Sequence, residues 1–186
     1  MKYTGNNSQE YWDDSWTRGI KKFPKHTMQR IFNLIPNKVS VLDIGSGSGN
    51  FLYDLKEKKN CEVYGIDISQ VAIDKGKEKG VDGEVRSAEE MDNFTREFDV
   101  VVCSHLLEHI GDDKNLVKNI NKTTKQFAII AVPNDCSFPE FTSEHVRKYT
   151  AKSLKELLIR HFPRIEDHTG YNRKTLKNHL IFKCLK

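Results

Sequence analysis

Val41-Leu42-Asp43-Ile44-Gly45-Ser46-Gly47-Ser48-Gly49 reads as an apolar strand that ends in an acid and breaks into a loop with glycine at every second position. The segment that follows carries Phe51, Leu52 and Leu55 on one helical face. Glycine lacks a Cβ and reaches φ > 0, so a ligand can lie directly on such a loop. The next strand-like run, Cys61-Glu62-Val63-Tyr64-Gly65-Ile66-Asp67, also ends in an acid. An acid at the tip of a second strand is placed to accept hydrogen bonds from ribose hydroxyls. Together the two segments predict a pocket for a nucleoside-containing cofactor.

The details of the loop select among such cofactors. A dinucleotide site uses G-x-G-x-x-G and seats a pyrophosphate on the helix N-terminus. Here the loop is G-x-G-x-G, and Asn50 stands where the last dinucleotide glycine would be. Asp43 at its mouth would repel a pyrophosphate and suits a cationic amine. S-adenosylmethionine has a ribose, an ammonium group and no phosphate. The block from Val41 to Gly49, with Asp67 at its distance, resembles the class I S-adenosylmethionine-dependent methyltransferases. That resemblance implies a Rossmann-like sheet, S-adenosyl-L-methionine as cofactor and methyl transfer as the reaction.

The chain's 186 residues suit one domain with a real core. After Pro36, strands at 39–44, 62–67, about 83–87, 97–103 and 126–132 alternate with helices at 48–58, one capped by Ser69 and closed near Gly80, and about 112–121. The central run Val100–Cys103 is apolar throughout, as in the buried middle of a parallel sheet. Such alternation implies right-handed crossovers with helices on both faces. Before it, Ser8 is a candidate cap for a helix with Tyr11, Trp12 and Trp16, and a second helix spans about 24–34. After it, Thr150 caps a helix bearing Leu154, Leu157 and Leu158, and two strands, about 163–170 and 178–185, follow with no helix between. Strands joined that way pair antiparallel. The fold class expected is therefore α/β, a single-domain Rossmann-like methyltransferase fold with a mainly parallel seven-stranded sheet ending in an antiparallel hairpin. Residues 8–35 supply N-terminal helices, 36–132 the cofactor-binding core, and 133–186 the substrate-side segment and hairpin. This last third is similar to the methyltransferase sheet independently of the glycine loop.

Composition narrows the class of partner. No apolar run approaches the ~18 residues of a membrane helix, and the first residues lack the apolar stretch of a secretory signal. The four cysteines, Cys61, Cys103, Cys136 and Cys184, are scattered without C-x-x-C pairing. They fit a reducing, cytoplasmic setting and argue against a structural zinc site. The net charge of +4 is spread over helices rich in both lysine and glutamate. It permits an anionic substrate without forming the concentrated basic stripe usual for nucleic-acid binding. No membrane partner is expected, and the oligomeric state is not written in the sequence.

Ligands of open α/β sheets sit beyond the carboxyl ends of the strands near the switch in strand order. The expected contributors are Asp43, Gly45, Ser46, Gly47 and Gly49 after the first strand, and Asp67 and Ile68 after the second. Ala88 and Glu89 follow the third, Ser104 and His105 the fourth. The resemblance implies that Glu89 lies near the adenine amino group and that Tyr11 or Trp12 closes over the cofactor. Both aromatics also fit core packing of an amphipathic helix.

His105-Leu106-Leu107-Glu108-His109 matches the inverted zinc-protease signature H-x-x-E-H. That signature belongs on a long helix of a much larger fold, whereas this one begins directly after a central parallel strand. Methyltransferases carry a similar Glu-His segment there. Small-RNA 2′-O-methyltransferases bind a metal through Glu-x-x-Glu-His and a later His, but His105 replaces the first of those acids. The later His145 lies in Glu144-His145-Val146-Arg147-Lys148-Tyr149-Thr150, which is similar to the His-x-Arg-x-Tyr/Phe-Thr stretch of small-molecule methyltransferases. Glu108, His109 and His145 have the chemistry of a metal site, yet the sequence favours transfer without a metal.

The reading preferred is methyl transfer to an O or N atom of a small or medium-sized acceptor, with His105, His109 and His145 as candidate general bases. Two alternatives stand beside it. One is a macromolecular enzyme acting on RNA or protein through Arg147-Lys148 and Arg173-Lys174, with metal-assisted 2′-O-methylation as its sharpest form. The other is a cofactor-binding subunit without chemistry of its own.

Overall fold

The computed structural model describes residues 7–19, 25–134, 144–170 and 179–186. Pro24, Cys136, Arg173 and Lys174 lie outside the described residues. Two helices come first, α1 (Gln9–Thr17) and α2 (Lys25–Leu34). An alternating unit follows: β1 (Ser40–Ile44), α3 (Asn50–Lys59), β2 (Glu62–Asp67), α4 (Gln70–Lys77), β3 (Asp82–Val85), β4 (Phe98–Ser104), α5 (Asp113–Thr123) and β5 (Thr124–Pro133). The chain ends in α6 (Ala151–Leu158), β6 (Arg164–Asp167) and β7 (His179–Leu185). The seven strands lie in the order β3-β2-β1-β4-β5-β7-β6. β1, β2, β3, β4 and β5 pair parallel, while β7 runs antiparallel to both β5 and β6. The expected architecture is present, with one detail the periodicity did not carry: β7 inserts between β5 and β6, so the earlier strand of the hairpin becomes the edge.

Local chemistry sets the boundaries. The Ser8, Ser69 and Thr150 hydroxyls accept N–H bonds from the first turns of α1, α4 and α6, as caps do. The third strand stops at Val85, short of the expected 87, because Ser87 caps a 3-10 turn over Ala88–Asn93. α5 passes into β5 without a loop, and the Thr123 and Thr124 hydroxyls donate back to Asn119 O and Ile120 O. β6 ends at Asp167, where its side chain accepts the Thr169 N–H at 2.8 Å and turns the chain.

The sheet is covered on both faces. Ile31 of α2 and Leu52 and Leu55 of α3 pack on one side with Val41, Val100, Val102, Ile129 and Ala131. Leu116, Val117 and Ile120 of α5 and Leu154 and Leu158 of α6 pack on the other with Leu42, Ile44, Val101, Ile130 and Phe182. Burying each such side chain is worth about 1.5–3 kcal/mol, which fixes the strand tips as a rigid rim. The strand order reverses between β1 and β4, so the crevice opens at Asp43 and Ser104.

Candidate functional site

The glycine loop is held by backbone bonds. The Gly45 and Ser46 N–H groups both donate to Ile66 O, at 2.8 and 3.0 Å, tying the loop to β2. Asp67 accepts from Gly47 N through one oxygen at 2.8 Å and from Ser69 N through the other at 2.9 Å. Its carboxylate therefore braces the loop as well as standing at the strand tip. Gly47 has φ +52°, and a Cβ there would fall 2.5 Å from the Trp16 ring. Glycine is required at this position both for its backbone and for the space.

Asp43 is 5% exposed at the mouth of the loop. Burial, and then the charge of Asp67, push its carboxyl up to about 8. Burial also raises Asp67, but backbone donors from Ser69 and Gly47 oppose it. Asp43 therefore favours its protonated form near neutrality, while the backbone donors favour the charged form of Asp67. Beside them opens a cavity of about 560 Å³, lined by Trp16, Met28, Phe32, Asp43, Gly45 and Ser104 among others. Leu106 covers Gly45 from the β4 side. Ile68 is half-buried after β2, and Ala88 is buried in the core, so what it can offer a ligand is backbone. Glu89 is exposed and accepts the Gly111 N–H at 3.0 Å, linking the segment after β3 to the segment after β4.

The aromatic that reaches the glycine loop is Trp16. Asp13, on the same helix, accepts from Ser69 Oγ and Val71 N at the start of α4. Sequence reading singled out neither for the site. Tyr11 instead donates its hydroxyl to Glu144, and Trp12 meets the His109 ring edge-on at 5.5 Å. The spacing could have shown this: Tyr11 and Trp12 lie a full helical turn before Trp16 and so reach a different part of the rim.

The second constellation follows β4. His105 has φ +55°, and its N–H donates to Ala131 O at 2.8 Å. Its ring lies 4.8 Å from that of His179. Burial, and then the neighbouring His179, His109 and His145, lower His105 to about 3. It is therefore a neutral imidazole, suited to hydrogen bonding and weak as a general base at neutral pH. Glu108 is 1% exposed, with its Oε1 3.7 Å from His105 Nδ1 and 4.0 Å from His109 Nε2. His109 Nδ1 bonds Glu144 O at 3.0 Å, and its ring meets that of His145 at 4.9 Å. Val146 N donates to Glu108 O at 3.0 Å, bringing the segment that carries His145 against the β4 tip. All three histidines expected from the sequence are thus gathered here. His179, which sequence reading missed, joins them because β7 starts opposite Pro133 at the end of β5.

Arg147, half of one proposed basic segment, is engaged internally. It pairs with Asp113 at 2.6 Å and donates to Ile110 O at 3.1 Å. Tyr149 is buried and donates to the same Asp113, and its own hydroxyl is raised by that burial. Arg147 therefore anchors the segment after residue 143 to α5.

Residues 16–161 match a family model described as a methyltransferase domain. Among curated proteins the chain is similar to a ubiquinone biosynthesis O-methyltransferase of Coxiella burnetii, strain RSA 331, 24% identical over 195 residues that cover 89% of this chain and 83% of that protein. Among solved structures it resembles magnesium protoporphyrin IX methyltransferase from Synechocystis PCC 6803 with bound SAH. The TM-score is 0.73 at 14% identity, covering 96% of this chain and 97% of the other. It also resembles phosphoethanolamine N-methyltransferase 2 from Haemonchus contortus in complex with S-adenosyl-L-methionine, with a TM-score of 0.72 at 18% identity over 87% of this chain and 51% of that one. At those identities the two structures speak for the fold alone.

Proposed function

The chain belongs to the methyltransferase-domain family, and on that premise we propose that it transfers a methyl group from S-adenosyl-L-methionine to an O or N atom of a small or medium-sized acceptor. The observation that carries this reading is the buried Asp43 at the mouth of a glycine loop braced by Asp67. S-adenosylmethionine brings an ammonium and a sulfonium. A cation arriving beside Asp43 favours its ionised form, so binding releases the proton the acid otherwise holds. Both Asp67 oxygens already accept backbone N–H groups, and a carboxylate has about four lone-pair sites, so ribose hydroxyls have acceptors left there. Asp43, Gly45, Ser46, Gly47, Gly49, Ile68, Ala88, Glu89, Ser104 and His105 are assigned to the remainder of the cofactor's surroundings, and Trp16 replaces Tyr11 as the aromatic over the loop.

When bound, S-adenosylmethionine would supply an electrophilic methyl carbon whose bond to sulfur breaks to leave a neutral thioether, and the acceptor would supply the attacking lone pair and give up a proton. The sulfonium already makes the methyl electrophilic, so the protein's main task is alignment. The His105, His109 and His145 group after β4 supplies the polar contacts for the acceptor, and where His109 and His145 hold no ion they are the better placed to take its proton. Among the described residues no helix is long and apolar enough to cross a membrane. Buried thiols at Cys61, Cys103 and Cys184 support a reducing, cytoplasmic setting.

Two measurements test the reading. Calorimetry should find S-adenosylmethionine bound and NAD not bound. Labelled S-adenosylmethionine offered with fractionated metabolites, RNA and protein should label a small-molecule fraction. Label confined to RNA or protein would move the macromolecular reading forward, and binding of NAD alone would overturn both.

A further inference from the structure

We propose that Glu108, His109 and His145 form a binding site for a divalent transition-metal cation of the zinc, manganese or cobalt class. One ligand-capable atom from each lies within 4.8 Å of the other two. Metal–ligand bonds of about 2.0–2.2 Å set neighbouring donor atoms about 3–4 Å apart. Small side-chain rotations close that gap.

Three further features make the cluster more than a coincidence of residue types. The first is the tautomer of His109. A carbonyl oxygen only accepts, so the contact of His109 Nδ1 with Glu144 O at 3.0 Å fixes the proton on Nδ1 and the lone pair on Nε2. Nε2 is the atom 4.0 Å from Glu108 Oε1. A ring proton given to a backbone carbonyl is the usual outer support of a metal-ligating histidine. The second is the way the parts are held. Glu108 and His109 lie in a single 3-10 turn, Leu107–His109, directly after β4. The His145 segment is clamped to that turn by Val146 N donating to Glu108 O, and Asn7 Nδ2 donates to both His109 O and Glu144 O. The third is Glu108 itself, a carboxylate 1% exposed among imidazoles, an arrangement that a cation stabilises.

The donor set states the preference. Two imidazoles and one carboxylate suit zinc, cobalt or manganese, whereas magnesium and calcium favour all-oxygen shells. The sequence reading favours metal-free transfer because His105 replaces an acid. The structure shows that the three other groups meet without it, and that the loss of that acid shifts the donors toward nitrogen. Three protein ligands leave positions open for an acceptor oxygen. Any part the ion plays in transfer rests on the methyltransferase reading, whereas its binding does not.

The test uses tag-free, chelator-stripped full-length protein. Cobalt chloride is titrated and followed by its visible d–d absorption, and zinc chloride by calorimetry, with magnesium chloride for comparison. One zinc or cobalt ion per chain should bind, with magnesium at least ~10-fold weaker. Glu108→Gln and His145→Ala should each weaken zinc binding by ~10–100-fold or more. Because Glu108 is buried, its variant can fail to fold, and the partly exposed His145→Ala then decides. No saturable zinc or cobalt binding, or binding unchanged in His145→Ala, would overturn the site. S-adenosylmethionine binding by the same stripped protein is measured in parallel. Its loss with cobalt binding intact would overturn the methyltransferase reading and leave the ion site standing; the converse would overturn the ion site alone.

Discussion

The two halves of the crevice are built from different materials. On the β1–β2 side the geometry is main chain: Gly45, Ser46 and Gly47 donate N–H groups to Ile66 O and Asp67. The β4 side is made of side chains. His105, Glu108, His109, His145 and His179 come from three separate stretches and meet only through tertiary packing. A backbone cradle tolerates little substitution at its glycines and asks little of distant residues. A side-chain cluster inverts that dependence, with each member replaceable and the whole relying on how remote segments dock.

The sharpest way to break this contrast is Gly47→Val. The new Cβ would fall on the Trp16 ring at an unfavourable positive φ, and backbone strain of that kind costs about 1–3 kcal/mol. Cofactor affinity should fall by about 100-fold or more, read by calorimetry. Unchanged affinity would show that the loop is not the cradle. Asp67→Ala should follow with a smaller loss on two readouts. Two backbone donors lose their acceptor and can turn to water, a net cost of about 0.5–1.5 kcal/mol each. Both urea stability and cofactor affinity should drop, because bracing and binding share one carboxylate. A loss in only one of them would separate the roles.

Asp43 offers a pH probe of the main-chain side. Its carboxyl is raised to about 8 in the fold, against an unfolded value of about 4. The folded state therefore holds the proton more tightly. The stability this contributes is full below about pH 4 and is lost as pH rises toward 8, at no more than about 1.4 kcal/mol per pH unit. Asp43→Asn should flatten that decline in a melting series. S-adenosylmethionine affinity of the native chain should rise over the same interval, since its cation favours ionised Asp43, and the variant should lose the slope. The mildest test lies on the other side. His105→Asn keeps a residue that tolerates φ +55°, so stability should stay within about 1 kcal/mol and cofactor affinity should fall less than in Asp67→Ala while methyl transfer slows. A cofactor affinity that collapses here would erase the distinction between the halves.

How much of this was legible in the sequence follows the same division. Strands β1, β2, β4 and β5 announce themselves because parallel strands buried on both faces are apolar runs. The glycine loop is legible because its requirement is local. The histidines after β4 could be named as candidates, and their meeting follows from the strand order. His179 was invisible, since its place depends on β7 inserting beside β5, a pairing no local pattern encodes. Trp16 and Asp13 were hidden for a related reason: helix periodicity shows which face of α1 is apolar, not that its far end lands on α4 and the glycine loop.

The insertion of β7 also has a consequence during synthesis. The glycine loop and its sheet neighbours leave the ribosome long before His179–Leu185 does. Until β7 arrives, β5 presents Phe127–Val132 as an open, apolar edge with unpaired amides, the kind of template on which nascent chains stick to one another. A message cut short before codon 179 would therefore yield a polypeptide with an intact cofactor loop and an adhesive flank, prone to inclusion bodies and dependent on chaperones to stay dispersed.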